Sequence, residues 1–233
     1  MQREKQIQFI KFNYMRAGLG NNLLRLIDLI TIYKDNIKIK INTNNIKISR
    51  FCKPNILGSK GKKNRKSLLL SETLFRKEKI DLDLYFNTVK THTTKEDILG
   101  IHFRGTDFVK WKKHSIIPPS FFLDSLEQFN NYSKIYVVTD DPTHNNIKEL
   151  MSSNIFIGKS VFLFSNSEYS DFAILSRTNK IIASPSTFSL CASMFGPKDI
   201  VYPKKYATLE KNSPFWTNLI NGEKPNYTNI FLK

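Results

Sequence analysis

An apolar run that ends abruptly in polar residues sets the strongest limit on the fold of this chain. The run leads from Ile98 to Phe103, and Arg104 and Asp107 follow in the pattern His-x-Arg-x-x-Asp. A short apolar segment bounded by glycine is typical of a buried strand, so these polar residues fall at its carboxyl end. Ligands of open α/β sheets bind at that edge. The stretch therefore predicts an α/β protein with a polar site behind a buried strand.

Arg104 has two interpretations at this stage. Its guanidinium is a planar fork of donors with a fixed charge, which matches a phosphate or a carboxylate. Alternatively, Arg104 and Asp107 form a structural ion pair at the end of the strand. The short pattern alone does not separate these alternatives, because such patterns also recur by chance.

Further strand and helix segments alternate along the chain, as in an α/β protein. The spacing predicts strands at residues 6–14, 37–41, 46–48, 134–139, 180–184 and, as the last strand, 199–203, and residues 155–157 and 161–164 are short apolar stretches. Helices are predicted from residue 23, from Pro118-Pro119, over 167–177 and over 185–196. Residues 53–66 are predicted to be a lysine-rich loop, and residues 91–97 a linker between two halves.

Two adjacent carboxylates, Asp140 and Asp141, follow the strand at 134–139. Such a pair could hold a divalent metal together with phosphates. The other interpretation is that Asp141 caps a helix that Pro142 starts, which the spacing favours. We therefore expect a helix cap and no metal site.

Two other turns could bind an anion. Gly18 and Gly20, with Asn21, stand between a predicted strand and a helix, and glycines let the backbone approach a ligand closely. Ser186 and Thr187 stand at a predicted helix start, where backbone N–H groups attract phosphate. A tight turn and an ordinary helix cap are the alternatives for these two sites.

Composition leaves several partners open. The net charge of +16 over 233 residues permits nucleic acid, an anionic membrane surface or an acidic substrate. The two cysteines, Cys52 and Cys191, lack the spacing of a zinc site or a disulfide scaffold. The N-terminus lacks an apolar signal core, and no apolar run approaches the length of a membrane span. We expect a cytoplasmic protein, soluble or in peripheral contact with an anionic membrane surface.

Four motifs in a fixed order are more specific than any one alone. They are Gly-Leu-Gly-Asn-Asn-Leu at 18–23, His-Phe-Arg-Gly-Thr-Asp at 102–107, Val-Val-Thr-Asp-Asp-Pro at 137–142, and Asp171 followed by Ile-Ile-Ala-Ser-Pro-Ser-Thr-Phe-Ser at 181–189. Together they resemble the α-1,2-fucosyltransferase family and related GDP-fucose-dependent transferases. The resemblance covers most of residues 13–203, with a gap at about 32–94.

The resemblance implies a GT-B-like fold with two Rossmann-like halves, of which the N-terminal half is reduced. Residues 1–94 would form the acceptor side, 95–203 would bind the nucleotide sugar, and 204–233 would be a tail that packs across the halves. It also implies an inverting, metal-independent transfer of L-fucose from GDP-β-L-fucose to a glycan hydroxyl, with α-1,2 linkage. No separate cofactor and no nucleic acid are then expected. Another nucleotide sugar as donor, or a basic nucleic-acid-binding module, are the competing hypotheses.

The resemblance also assigns roles in the second half. Arg104 would bind the diphosphate of GDP-fucose, with His102 near the nucleotide. The helix start at Ser186 and Thr187 would hold the same diphosphate. Asp171 matches the family's acid at guanine, whose N1–H and amino group suit a carboxylate acceptor.

In the first half, the resemblance implies that Gly18, Gly20 and Asn21 close over the donor. The acceptor hydroxyl needs a base, and the candidates are Asp107, which could equally orient the turn, and His114 behind it. The chain also departs from the family pattern. Gly105 stands at the second of two adjacent arginines, and Leu190-Cys191 stands where a tryptophan is usual.

Overall fold

The structure is a computed structural model in which the chain divides into two compact units, Met1–Thr88 and Val89–Lys233. It describes residues 8–12, 18–33, 37–41, 62–63, 70–75, 79–88, 97–111, 116–196, 199–209 and 214–233. Within these ranges, no helix has both the length and the apolar character that crossing a membrane requires. The predicted strand at 46–48 and most of the predicted linker at 91–97 lie outside the described residues.

The first unit contains a small parallel sheet and three described helices. Its strands are β1 (Gln8–Phe12), β2 (Ile37–Ile41) and β3 (Lys62–Lys63), in the order β2-β1-β3. Its helices are α1 (Leu19–Tyr33), α2 (Leu70–Phe75) and α3 (Leu82–Tyr85). β3 corrects the prediction that residues 53–66 are entirely loop, because two of its lysines pair with β1.

Helix α1 is the apolar helix that the sequence predicts, but it begins at Leu19 and not at residue 23, so Gly20 and Asn21 lie in its first turn and not in a turn before it. Leu23, Leu26 and Ile27 are fully buried, and so is the polar Asn22. The Asn22 side chain donates to the carbonyl of Gly18 at 2.8 Å, and Gly18 has a φ of 44°, which glycine adopts without strain. The turn before α1 thus depends on glycine at position 18.

The second unit contains a six-stranded, entirely parallel sheet. Its strands are β4 (Ile98–Phe103), β5 (Lys134–Thr139), β6 (Ser160–Phe164), β7 (Lys180–Ala183), β8 (Asp199–Tyr202) and β9 (Asn229–Leu232). The helices between them are α4 (Phe108–Trp111), α5 (Pro119–Glu127), α6 (Asn145–Met151), α7 (Glu168–Leu175), α8 (Thr187–Phe195), α9 (Lys204–Leu209) and α10 (Pro214–Ile220), with a short 3-10 helix at Asn154–Phe156.

The strand order of this sheet, β6-β5-β4-β7-β8-β9, is that of a doubly wound Rossmann-like fold. The chain builds outward from β4 through β5 to β6, and then returns to add β7, β8 and β9 on the other side. The direction of winding therefore reverses between β4 and β7. A crevice opens at the carboxyl ends of the strands at such a reversal, and this is where ligands of such folds bind. The predicted α/β class is confirmed.

The core of the second unit surrounds β4, which is buried along its whole length. One face packs against Phe122 and Leu126 of α5 and against Ile147 of α6. On the other face, a Cβ at Gly100 would lie 2.8 Å from the Thr178 hydroxyl oxygen, so glycine lets the end of the α7 segment approach the strand. Helices on both faces explain why β4 is apolar without alternation.

The predicted strands at 134–139, 180–184 and 199–203 are confirmed within one residue at either end. The expectation that 199–203 forms the last strand is wrong, because β9 pairs with β8 in parallel register. Within β9 only Ile230 and Leu232 are half-buried, since an edge strand packs on one side alone. Residues 204–233 thus complete the sheet of the second unit.

Candidate active site

Polar residues from three neighbouring strands meet at the reversal point of the sheet. Phe103 is in register with Thr139, and His102 with Ala183. Arg104, Asp140 and Ser184 therefore each stand just beyond the carboxyl end of a strand. The Arg104 backbone N–H donates to the Ser184 hydroxyl at 3.0 Å, which ties the end of β4 to the loop behind β7.

Arg104 forms a two-point ion pair with Asp107. Its Nε donates to Oδ1 at 2.8 Å and its Nη2 to Oδ2 at 2.9 Å. The Arg104 side chain is 25% exposed, and that of Asp107 is 60% exposed. The guanidinium carbon of Arg104 also lies 5.7 Å from the centre of the Phe108 ring. The ion pair that the sequence left as one alternative is thus present, and the guanidinium stays partly accessible.

The charges around Arg104 change the pKa values of both partners. Burial opposes the charge of Arg104, but the bond to Asp107 and the charges of Asp140, Asp107 and Glu168 outweigh it and raise the pKa of Arg104. The hydrogen bond from Arg104 is the largest cause that lowers the pKa of Asp107. Both groups are therefore firmly charged near neutral pH.

Asp140 organises the loop that carries Arg104. One carboxylate oxygen accepts from the Gly105 N–H at 2.7 Å, and the other accepts from the Thr106 hydroxyl at 2.6 Å. The second oxygen also lies 3.4 Å from Arg104 Nε. Sequence reasoning missed this role, although a signal existed: parallel pairing of two adjacent strands brings the first polar residue after each of them together.

Asp141 does not cap a helix, so that prediction is wrong. Its Oδ1 accepts from the Thr143 N–H at 3.2 Å and from the Thr143 hydroxyl at 2.8 Å, which forms a turn. Helix α6 begins at Asn145, where His144 Nδ1 accepts from the Asn146 N–H at 3.1 Å. The Asp141 carboxylate thus accepts hydrogen bonds within a turn that contains Pro142, and the helix begins only after this turn.

Gly105 has no room for a side chain. A Cβ at this position would lie 2.9 Å from the Asp141 Cβ and 3.2 Å from the Phe103 ring. The loops that follow β4 and β5 pack closely at Gly105, where the family usually has the second of its two adjacent arginines.

Among the described residues, no group of three or more His, Cys, Asp or Glu side chains could hold a metal ion.

The predicted helix start at Ser186 and Thr187 is present in the structure. Helix α8 runs from Thr187 to Phe195, and the Ser186 hydroxyl accepts from the Phe188 N–H at 3.2 Å. Ser186 is thus a helix N-cap, and the other N–H groups of the first turn have no partner inside the helix. The positive end of the helix dipole lies beside the loop that carries Arg104, because Ser184 accepts from the Arg104 N–H at 3.0 Å.

His102 lies behind the helix start, not at the surface. Its Nδ1 is 2.5 Å from the Ser189 hydroxyl, and its ring centre is 5.2 Å from that of Phe188. Burial, and then the charge of Arg104, lower the pKa of His102 to about 3, although Asp140 acts in the opposite direction. His102 is therefore a neutral side chain inside the sheet.

Asp171 lies on α7 and is 7% exposed. Its carboxylate accepts from the Asn166 N–H at 3.1 and 3.2 Å and from the Asn166 side-chain amide at 3.2 Å. Burial raises the pKa of Asp171, against the hydrogen bonds from Asn166. The carboxylate thus orders the loop before α7 and keeps acceptor capacity on Oδ2.

The predicted site residues are divided between the two units. Gly18, Gly20 and Asn21 belong to the first unit, where Gly18 and Asn21 are exposed and Gly20 is buried. His114 lies outside the described residues. Arg104, Asp107 and Ser186 belong to the second unit, where Asp107 binds the Arg104 side chain and Ser184, two residues before Ser186, accepts from the Arg104 N–H.

The fold and these contacts define an α/β protein with a Rossmann-like parallel sheet and a cluster of charged and polar residues at its reversal point. The model of glycosyl transferase family 11 matches residues 64–229. The chain therefore belongs to this family, the α-1,2-fucosyltransferase family, and is a glycosyltransferase. A search of curated proteins found no match. The glycine motif at 18–23 lies outside the matched residues.

The buried neutral His102 predicts a loss of stability in acid. In the unfolded chain a histidine takes up a proton below about pH 6.5, whereas His102 in the folded protein does so only near pH 3. Between these values the unfolded state binds more protons, so stability falls as pH falls, by about 1.4 kcal/mol per pH unit.

His102→Asn keeps a hydrogen-bonding group near Ser189 but removes this proton uptake. We expect the free energy of unfolding to fall by about 2 kcal/mol less in the variant than in the parent between pH 7 and pH 5. Urea unfolding of both proteins at both pH values measures the difference. Equal pH dependence would contradict the buried, neutral state of His102.

Proposed function

We propose that this protein transfers L-fucose from GDP-β-L-fucose to a glycan hydroxyl, with inversion at the anomeric carbon and formation of an α-1,2 linkage. Membership in glycosyl transferase family 11 supports the transferase chemistry. The observation that carries the proposal is the link between the loop of Arg104 and the start of α8: the Arg104 backbone N–H donates to the Ser184 hydroxyl, two residues before the N-cap Ser186. A fixed cation and a helix N-terminus suit the diphosphate of a nucleotide sugar.

Arg104 keeps a two-point edge for the donor even while it is bound to Asp107. Asp107 uses Nε and one hydrogen of Nη2. Nη1 and the second hydrogen of Nη2 form the outer edge of the guanidinium, which can hold two diphosphate oxygens. In the reaction this edge would stabilise the negative charge that develops on the departing GDP.

Asp107 suits a positioning role better than that of a base. Its carboxylate is held by Arg104 at both oxygens, and this contact lowers its pKa, which weakens it as a proton acceptor. We propose that Asp107 orients Arg104, which is the alternative that the sequence left open. His114 then stays the candidate base for the acceptor hydroxyl.

Asp171 is proposed to accept from the N1–H and amino group of guanine. Its support is a carboxylate that is almost buried and whose Oδ2 accepts only the Asn166 N–H among the described residues. We also propose the GT-B-like arrangement that the resemblance implies. In it, residues 1–94 carry the acceptor side and residues 95–203 bind the donor.

A donor panel tests the proposed function. Incubation of the protein with GDP-fucose, GDP-mannose or UDP-sugars and a panel of glycan acceptors should release nucleotide chiefly from GDP-fucose. Nucleotide release and the mass of the glycan product measure the transfer. Turnover of UDP-sugars in place of GDP-fucose would reject the donor assignment and leave the family assignment intact.

Arg104→Lys should lower transfer strongly, because lysine keeps the charge but loses the planar two-point edge. Loss of one such donor typically lowers turnover on the order of 100-fold. Arg177→Lys is the matched control, since Arg177 is an exposed arginine of the same unit outside the site. Steady-state rates with GDP-fucose compare the variants, and near-parental turnover of Arg104→Lys would remove Arg104 from the site.

Asp171→Asn should weaken GDP binding and narrow the preference for GDP over UDP, because one acceptor oxygen becomes a donor. A protein discriminates strongly between two ligands when the wrong ligand leaves a buried polar group of the site without a hydrogen bond. Calorimetric titration of both nucleotides, with a thermal melt to check folding, measures the effect.

Asn166→Ala separates guanine recognition from loop order. It removes the amide that donates to Asp171 but leaves the carboxylate in place. We expect this control to retain the preference for GDP. If both variants lose the preference equally, the carboxylate acts only by ordering the loop.

A further inference from the structure

A fully buried tyrosine holds the start of α8 from behind. Tyr202 is the last residue of β8, has no exposed surface, and donates its hydroxyl to the carbonyl of Ser186 at 2.5 Å. The same carbonyl accepts the Leu190 N–H at 3.2 Å, which is the first hydrogen bond of the helix. Tyr202 therefore contacts the helix at its N-cap, the residue on which the direction of the first turn depends.

The surroundings of Tyr202 keep its hydroxyl a donor. Burial raises the pKa of Tyr202 well above its ordinary value, so the hydroxyl stays protonated. Its ring packs edge-on against Trp216, with the ring centres 5.6 Å apart, and Trp216 packs against Tyr206 at 5.4 Å. Residues of α9 and α10, beyond the predicted last strand, thus fix the ring that holds the helix start.

A second buried contact holds the next turn of the same helix. His102 of β4 lies 2.5 Å from the Ser189 hydroxyl, and Ser189 donates to the Ser184 carbonyl at 3.5 Å. Side chains of β4 and β8, the two neighbours of β7, therefore both contact the first turns of α8. This leaves the first turn little freedom to reorient.

We propose that Tyr202 is a positioning residue for the diphosphate subsite of this enzyme. It fixes the Ser186 carbonyl, and with it the direction in which the N–H groups of the first turn point. Donors that are already aligned lose little entropy when they bind an anion, so a fixed helix start raises affinity for the diphosphate. The inference rests on the proposed function, in which the start of α8 binds the diphosphate of a guanine nucleotide.

A tyrosine that served only the core would behave differently. Its loss would lower the stability of the whole unit and would weaken every ligand alike. A positioning tyrosine acts on the phosphate end of the ligand, so its loss distinguishes GDP from GMP. The comparison of these two nucleotides therefore separates the two roles.

The test is Tyr202→Phe, which keeps the ring against Trp216 and removes the hydroxyl. Tyr206→Phe is the matched control, since it removes a hydroxyl from another buried tyrosine on the same tryptophan. We expect Tyr202→Phe to bind GDP about five- to tenfold more weakly than the parent, the size of one hydrogen bond, with a smaller change for GMP. The control should match the parent for both nucleotides.

Calorimetric titration of GDP and GMP into parent and variants gives the result, with thermal melts to verify folding. Parental GDP affinity in folded Tyr202→Phe, or equal losses for GDP and GMP, would overturn the proposal. If Tyr202→Phe does not fold, Ser189→Ala loosens the same helix start and must give the same pattern. A parent protein that binds no GDP would reject the proposed function itself, which is a separate outcome.

Discussion

The parallel pairing of β4 with β5 on one side and β7 on the other decides where each polar group of the site can lie. β4 is packed on both faces, so a slip of one residue would exchange its two sets of side chains and move Gly100 away from the close contact with Thr178. Because Phe103 is opposite Thr139 and His102 is opposite Ala183, the residues that follow meet at one edge. The ion pair of Arg104 and the start of α8 both depend on this register.

The charged side chains at the carboxyl edge of the sheet fix the geometry of the site more than they stabilise the fold. A partly exposed ion pair such as Arg104 with Asp107 adds only about 0–1 kcal/mol. The ion pair instead orients Arg104, since its two hydrogen bonds fix the plane of the guanidinium. Asp140 fixes the backbone of the same loop through Gly105 and Thr106. Two carboxylates with different tasks thus hold one cation in place.

The sequence predicted the strands around the site well because each is a short apolar run that ends at a polar residue or a proline. β5 and β8 have the predicted bounds within one residue, and the helix start at Ser186 is where the hydroxyl pattern indicated it. Asp141 was misread because a cap and a turn use the same residue types next to proline. β9 was missed because an edge strand buries only alternate residues.

The supporting contacts of the site could not be predicted in the same way. The hydroxyl of Tyr202 and the carbonyl of Ser186 are 16 residues apart in the chain, and only the sheet brings them together. Likewise, the sequence could not decide between an ion pair and a ligand site at Arg104. The guanidinium has enough donors for both, so the two interpretations were never exclusive.

The position of β9 has a consequence for how the second unit forms during synthesis. β4, at the centre of the sheet, is made first, and each later strand adds outward on one side or the other. β8 gains its outer partner only when residues 229–232 have left the ribosome, and until then it is an unpaired parallel edge. Parallel pairing over such sequence separations is slow because the chain must close long loops first. Until β9 has paired, the nascent chain therefore presents an open sheet edge to chaperones or to other chains.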